Sequence, residues 1–370
     1  MHLALAGLAA LAVSQGIGRF AMTPILPMMQ EQGLSLSEGG WLAAANYLGY
    51  LLGALSTIWL RLDPSLAIRA ALAAIGVLTL AMGLIDGFAA WIVLRAVAGV
   101  ASAWVLIFVS AWALERLAEA GRPQLAGVLY AGVGTGVTAA GVVCLLITLR
   151  GSSADASWIA LGVLALGAAA ATWPAFSFRG HSAQRGNVER APLRGWLLIL
   201  CYGAYGLGYI VPATFLPAMA RQIVAEPLAF GSAWPLLGIA AAVSTLIASS
   251  LGATNPRRVW VLCMVLLAIG VSAPLFVPGL LGILVSAVLV GATFVTITLA
   301  GMQEARRLYG AAARPLMAAM TAAFAVGQLI GPILVALAES LPHGFAIVLA
   351  LATAAVLLGA AALALTARGE

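Results

Sequence analysis

GIGRFAMTPILPMM, from Gly16 to Met29, and GLGYIVPATFLPAM, from Gly206 to Met219, are two versions of one segment. Gly16, Gly18, Leu26, Pro27 and Met29 fall on Gly206, Gly208, Leu216, Pro217 and Met219 at a constant offset of 190. Arg122-Pro123 recurs as Arg314-Pro315 at an offset of 192. Each segment lies in an apolar run of roughly the 20 residues a helix needs to cross a hydrocarbon core. A chain that repeats such a segment after half its length is built of two related halves. Two helical halves in the same topology form the parallel-repeat plan, with a site between the halves.

The composition makes both halves membrane material. Of 370 residues, 63% are hydrophobic and 8% charged, and the mean hydropathy is +1.09. Soluble domains carry about a quarter charged residues and cannot keep this much apolar surface in water. Breaks at charged and turn-rich points predict spans near 4–29, 40–60, 66–85, 88–114, 122–148 and 155–177, then 195–220, 230–250, 258–276, 279–303, 314–337 and 344–366. The longest polar stretch, Phe178 to Arg194, has the composition of a flexible linker. The expected architecture is an all-α membrane protein of twelve transmembrane helices in two pseudo-symmetric six-helix bundles. Residues 1–178 form the first bundle, 179–193 a cytoplasmic linker and 194–370 the second. Met1 to Ser14 resembles a signal-peptide core, but it lacks a basic n-region and the apolar pattern runs on to Met29; it reads as the first membrane helix.

No lysine occurs, and the eighteen basic residues are all arginines. Arg150 and Arg221 fall in loops on one side of the expected membrane, fourteen others fall on the opposite side, and Arg19 and Arg95 lie inside spans. The asymmetry places both termini in the cytoplasm. A net charge of +6 and a pI near 9.7 do not point to nucleic acid, because the arginines are spread over short loops instead of one solvated face. Cys144, Cys201 and Cys263 are far apart in apolar spans and read as small core residues. No Walker loop, H-E-x-x-H pair or Ser-His-Asp set is present, so neither an enzyme nor a cofactor or metal is expected.

Span four carries Leu94-Arg95-Ala96-Val97-Ala98-Gly99, and span two carries Gly40-Trp41-Leu42 and Asn46-Tyr47-Leu48-Gly49-Tyr50. With Gly16-Ile17-Gly18-Arg19-Phe20 and the LPxM end of span one, these residues make the chain resemble the major facilitator superfamily (MFS) over its whole length. The span-four stretch is similar to the superfamily's fourth-helix Arg-x-x-x-Gly motif. The other segments look like its bacterial YbfB/YjiJ-type branch. The resemblance implies a secondary transporter of the bacterial inner membrane that works by alternating access, with helices one and four lining a central cavity; the branch implies no settled substrate. Two segments depart from the superfamily pattern. The loop between helices two and three reads Trp59-Leu60-Arg61-Leu62-Asp63-Pro64 where the superfamily has Gly, Asp-Arg and a basic cluster. The fifth-helix antiporter motif is partial, at Gly132, Gly134, Gly136 and Gly141 without proline. Motif therefore gives drug–proton antiport no support.

Arg19 and Arg95 are the leading candidates for a site. A cation in hydrocarbon costs roughly 2.5–3.5 kcal/mol on insertion scales, and no Asp or Glu lies deep inside an expected span to neutralise them. At about 1.5 Å per residue, Arg19 lies roughly 22 Å up span one and Arg95 roughly 10 Å down span four, similar depths in a core of about 30 Å. Two guanidiniums at one level are expected to grip a carboxylate, phosphate or sulfonate through bidentate bonds. Arg95 has a second reading, as a fixture that bonds to backbone carbonyls of helix one. Arg19 has Tyr209 at its repeat position, so the fold alone does not require an arginine there. Asn46, Tyr47, Tyr130, Tyr205, Tyr209 and Gln328 reach the same band and complete the expected substrate site, unless they serve only as bonds between helices. Gly49/Gly53, Gly132/Gly136 and Gly327/Gly331 have the spacing that lets helices approach closely. Pro24, Pro27, Pro212 and Pro217 are expected to bend spans one and seven.

These residues predict a secondary transporter for a small carboxylate-type organic anion, driven by protons or by exchange and working as a monomer in the lipid bilayer. One rival reading is an exporter of a neutral or lipophilic compound with both arginines structural. The other is a non-transporting membrane sensor or scaffold, which calls for a long partner surface or tail that the sequence does not show.

Overall fold

Only helices and closed barrels satisfy every backbone N–H and C=O inside a bilayer, so long apolar runs without turn signals become helices. The computed structural model describes residues 1–60, 62–177, 193–223, 231–250, 255–338 and 341–366. Span one is made of α1 (His2–Leu11), a widened turn over Ala12–Ile17 and α2 (Met22–Glu31). There follow α3 (Leu36–Trp59), α4 (Pro64–Met82), α5 (Phe88–Glu119), α6 (Ala126–Leu149) and α7 (Ala154–Thr172). The second set is α8 (Leu193–Ile223), α9 (Ala233–Ser250), α10 (Pro256–Phe276), α11 (Gly279–Tyr309), α12 (Arg314–Ala338) and α13 (Gly344–Thr366). Among the described residues, eleven stretches are long and apolar enough to cross a bilayer. Helix α3 has the length, at 24 residues, but carries Asn46, Tyr47 and Tyr50 and is not one of the eleven. The expected linker, 179–193, lies outside the described residues apart from Leu193.

Local chemistry sets the helix ends. Ser35 and Glu38 form a capping box at the start of α3, with the Ser35 N–H donating to Glu38 at 2.8 Å and the Glu38 N–H donating to Ser35 at 3.1 Å. Asp63 accepts from the Leu66 N–H at 2.8 Å ahead of Pro64, so part of the segment that departs from the superfamily loop starts α4. Helices α5 and α11 run past the expected span ends, to Glu119 and Tyr309. Charge marks where a helix leaves hydrocarbon and does not stop it. Turns that need a positive φ follow instead, at Gly121 (+64°) and Gly310 (+55°).

The sequence repeat reappears as a repeat of packing. In the first set α1 packs on α6, α3 on α5, and α4 on both α5 and α7. In the second set α8 packs on α12, α9 on α11, and α10 on both α11 and α13. The sets meet through α6 against α9 and α3 against α12, two contacts that the repeat exchanges. Small residues permit this closeness: a Cβ on Gly49 would overlap the Ala96 carbonyl, one on Gly132 the Leu8 carbonyl, and one on Gly327 the Gly203 carbonyl.

Candidate functional site

The site begins where span one departs from its counterpart. Helix α8 runs through Pro212 without interruption, whereas span one widens over Ala12–Ile17. There the Gly18 and Phe20 N–H groups bond to the carbonyls of Val13 and Gln15, one residue farther than in an α-helix. The Thr23 N–H bonds to Phe20, one residue nearer, and Pro24 has no N–H to give. The carbonyls of Gly18 and Arg19 are taken by side chains of neighbouring helices. Arg95 of α5 donates through Nη1 to Gly18 and through Nη2 to Arg19, both at 3.0 Å. Asn46 of α3 donates to the Arg95 carbonyl at 2.9 Å and to that of Gly18 at 3.4 Å. Glycine at position 18 leaves room for this joint, since a Cβ there would stand 2.7 Å from Ser102 Oγ.

With its main chain held this way, Arg19 directs its guanidinium to the opposite side, between the two sets of helices. It is 3% exposed and donates through Nη2 to Gln328 Oε1 of α12. Gln328 in turn donates to the Tyr209 hydroxyl at 3.2 Å. The guanidinium carbon sits over the ring of Tyr50 at 3.9 Å, Phe324 at 5.1 Å, Phe20 at 5.3 Å and Tyr47 at 5.8 Å. Among the described residues Arg19 forms no salt bridge, and neither Arg19 Nε nor Tyr50 Oη has a hydrogen-bond partner.

Arg19 lines a narrow cavity of about 20 Å³, room for roughly one water molecule in this conformation. Its wall also holds Gln15, Phe20, Tyr50, Leu106 and Val133 from the first set, and Tyr202, Tyr205, Phe294, Val295, Thr298, Thr321 and Phe324 from the second. Tyr205 donates to the Phe294 carbonyl at 2.7 Å and lies 3.2 Å from the Thr298 hydroxyl. Tyr209 stacks between Phe294 (centroids 5.2 Å, planes 8° apart) and Phe324 (5.7 Å, 11°). Phe20 meets both Tyr209 and Phe294 edge-on, at 6.4 and 6.1 Å, so a first-set ring inserts into a second-set stack.

The eight expected site residues separate into three groups. Arg19 and Tyr205 lie on the cavity wall. Gln328 and Tyr47 touch Arg19 and Tyr209 holds Gln328, none of the three on the wall itself. Arg95 and Asn46 fasten span one, and Tyr130 donates to Ser110 at 2.6 Å, away from the wall. The two guanidiniums do not share the cavity: Arg95 is not on its wall, and both its terminal nitrogens bond to carbonyls while its Nε has no partner among the described residues. Gln15, Tyr50 and Phe324 complete the surroundings of Arg19 and are not among the eight. Helical spacing carries a signal for each: Gln15 lies four residues before Arg19, Tyr50 four after Asn46, and Phe324 four before Gln328, all same-face positions.

A family model described as "Uncharacterised MFS-type transporter YbfB" matches residues 11–365. No curated protein matches the chain.

Proposed function

The chain belongs to this family of MFS-type transporters, and from that premise we propose that it carries a small organic anion across the bacterial inner membrane by alternating access. Arg19 binds the charged group. One observation carries the reading: a buried cation on the cavity wall, between the two sets of helices, has amide and aromatic neighbours but no carboxylate among the described residues. Isolated charge at membrane depth marks a substrate or ion pathway by default. The remaining donors, Arg19 Nε and Tyr50 Oη, suit an anionic oxygen. Arg95 acts one step back, by holding the main chain of Arg19. Both termini face the cytoplasm, as the loop arginines argue, and a monomer suffices because the two sets enclose the site.

Energy comes from membrane gradients. Among the described residues Glu304 is the buried carboxylate, and it is engaged by Arg307 on the same helix at 2.8 and 2.9 Å. With no acid on the cavity wall among the described residues, a weak-acid substrate brings its own proton or one anion exchanges for another.

The aromatic wall favours a second reading, movement of a neutral or lipophilic compound with Arg19 fixed on its rings. Thermal unfolding of detergent-purified protein separates the two. Monocarboxylates, dicarboxylates, phosphates and lipophilic neutral or cationic compounds are titrated against wild type and Arg19→Gln. A ligand that binds only the native state raises apparent stability by mass action. Stabilisation by anions that is lost in the variant supports anion transport. A response to neutral compounds in both proteins, with none to anions, replaces it with the second reading.

A further inference from the structure

Resting on the reading that Arg19 binds an anion, we infer that the cavity selects a flat aromatic monoanion, an aryl carboxylate in chemical class, over aliphatic acids and dianions.

Arg19 is the cation on the cavity wall. The guanidinium next to it, Arg95, gives both terminal nitrogens to the carbonyls of Gly18 and Arg19. Arg95 keeps its charge but lies off the wall, so a second anionic group in this cavity would be taken out of water without a cation in contact with it, a heavy cost in a desolvated site. One acid group fits the supply and two exceed it.

Phe20, Tyr50, Tyr202, Tyr205, Phe294 and Phe324 all line the cavity, and the gap between them is narrow. A planar ring enters such a slot with less opening than a puckered saturated ring of the same carbon count. It also gains stacked or edge-on contacts that a saturated ring lacks. Phe294 and Phe324 already lie nearly parallel to Tyr209, which shows what this wall accepts as a neighbour. Tyr50 and Phe324 cover two sides of the guanidinium. The donor edge of Arg19 therefore remains for the acid group, where Gln328 Oε1 now bonds, and the body of the ligand is directed along the aromatic wall. Thr298 and Thr321 add hydroxyls for a polar ring substituent.

The test uses benzoate, cyclohexanecarboxylate and succinate on the full chain in detergent, with thermal unfolding followed against ligand concentration. Benzoate is expected to half-saturate at a concentration about fivefold to tenfold lower than cyclohexanecarboxylate, the ratio that ring–ring contacts supply, while succinate stays silent. Phe324→Leu should shrink the gap to about twofold or less without abolishing carboxylate binding, and Arg19→Gln should remove both responses. Binding of cyclohexanecarboxylate as tight as benzoate, or of succinate tighter than either, overturns the aromatic monoanion and leaves anion binding by Arg19 standing. Silence of wild type toward all three acids removes the anion reading itself.

Discussion

Arg95 donates through Nη2 to the main-chain carbonyl of Arg19 at 3.0 Å, so the two buried arginines act in series and not side by side. The first fixes the backbone from which the second reaches the cavity. Arg95 also takes the Gly18 carbonyl, and Asn46 ties the Arg95 carbonyl back to α3. Three helices are thereby joined at the point where span one loses its regular hydrogen-bond ladder.

This arrangement separates the effects of the two arginines. Arg95→Lys keeps the charge but cannot hold two carbonyls with a planar fork, and the loss of one charge-assisted bond in a buried joint should cost about 2–4 kcal/mol. Arg19→Gln should cost less stability while ending the response to anions. Unfolding midpoints of both variants in detergent check the pair. An Arg95→Lys protein as stable as wild type would show that the joint is not what holds span one.

Gln328 gives a second handle, because its amide oxygen lies on Arg19 Nη2 where a ligand oxygen is expected. Gln328→Glu places a carboxylate of nearly the same shape against the guanidinium. An internal ion pair then competes with any external anion. The variant should bind benzoate at least tenfold more weakly than wild type while its ligand-free midpoint stays level or rises. Wild-type benzoate affinity in this variant would mean that anions meet Arg19 elsewhere on its surface, or do not meet it.

Eleven of the twelve expected spans and the repeat are legible in the sequence because hydrophobic length and a fixed offset survive translation into structure directly. The fates of Arg19 and Arg95 are less so. Depth along a helix places both at one level, but it does not give the rotation that turns Arg95 toward the span-one carbonyls and Arg19 toward the cavity. The widening over Ala12–Ile17 shifts the register of span one just ahead of Arg19, and nothing in the composition of AVSQGI announces it. Tyr50 and Phe324 are readable in principle from same-face spacing. Hydrogen-bonding capacity does not point to them, since they act on Arg19 through ring faces.

Close helix approach predicts a contrast among glycines. A Cβ on Gly99 would overlap the Asn46 carbonyl and one on Gly136 the Ala12 carbonyl, so Ala at either position must push α5 from α3 or α6 from span one. Such overpacking should cost about 1–3 kcal/mol. A Cβ on Gly167 would meet nothing from a neighbouring helix within 4 Å, and Ala there should be neutral or stabilising by up to about 1 kcal/mol. Parallel unfolding of the three variants is the check. Equal stability of all three would mean that the helices are not packed this closely.

On the side expected to face the cytoplasm, one arginine is expected to hold the two sets closed. Arg314, at the start of α12, donates to the Thr57 carbonyl at the end of α3 at 3.1 Å, and its guanidinium lies 4.6 Å from the centre of the Phe108 ring on α5. One second-set side chain thus bridges two first-set helices. Its repeat partner, Arg122, is exposed, so the bridge exists on one side of the repeat only. Breaking it should favour the conformation open on that side. Thr321 lies two turns along α12 on the cavity wall, and Cys144, Cys201 and Cys263 are buried, which keeps background labelling low. In a Thr321→Cys background, Arg314→Ala should raise the labelling rate with a charged thiol reagent several-fold, and Arg122→Ala should leave it unchanged. Equal rates in all three proteins would remove Arg314 from the closure.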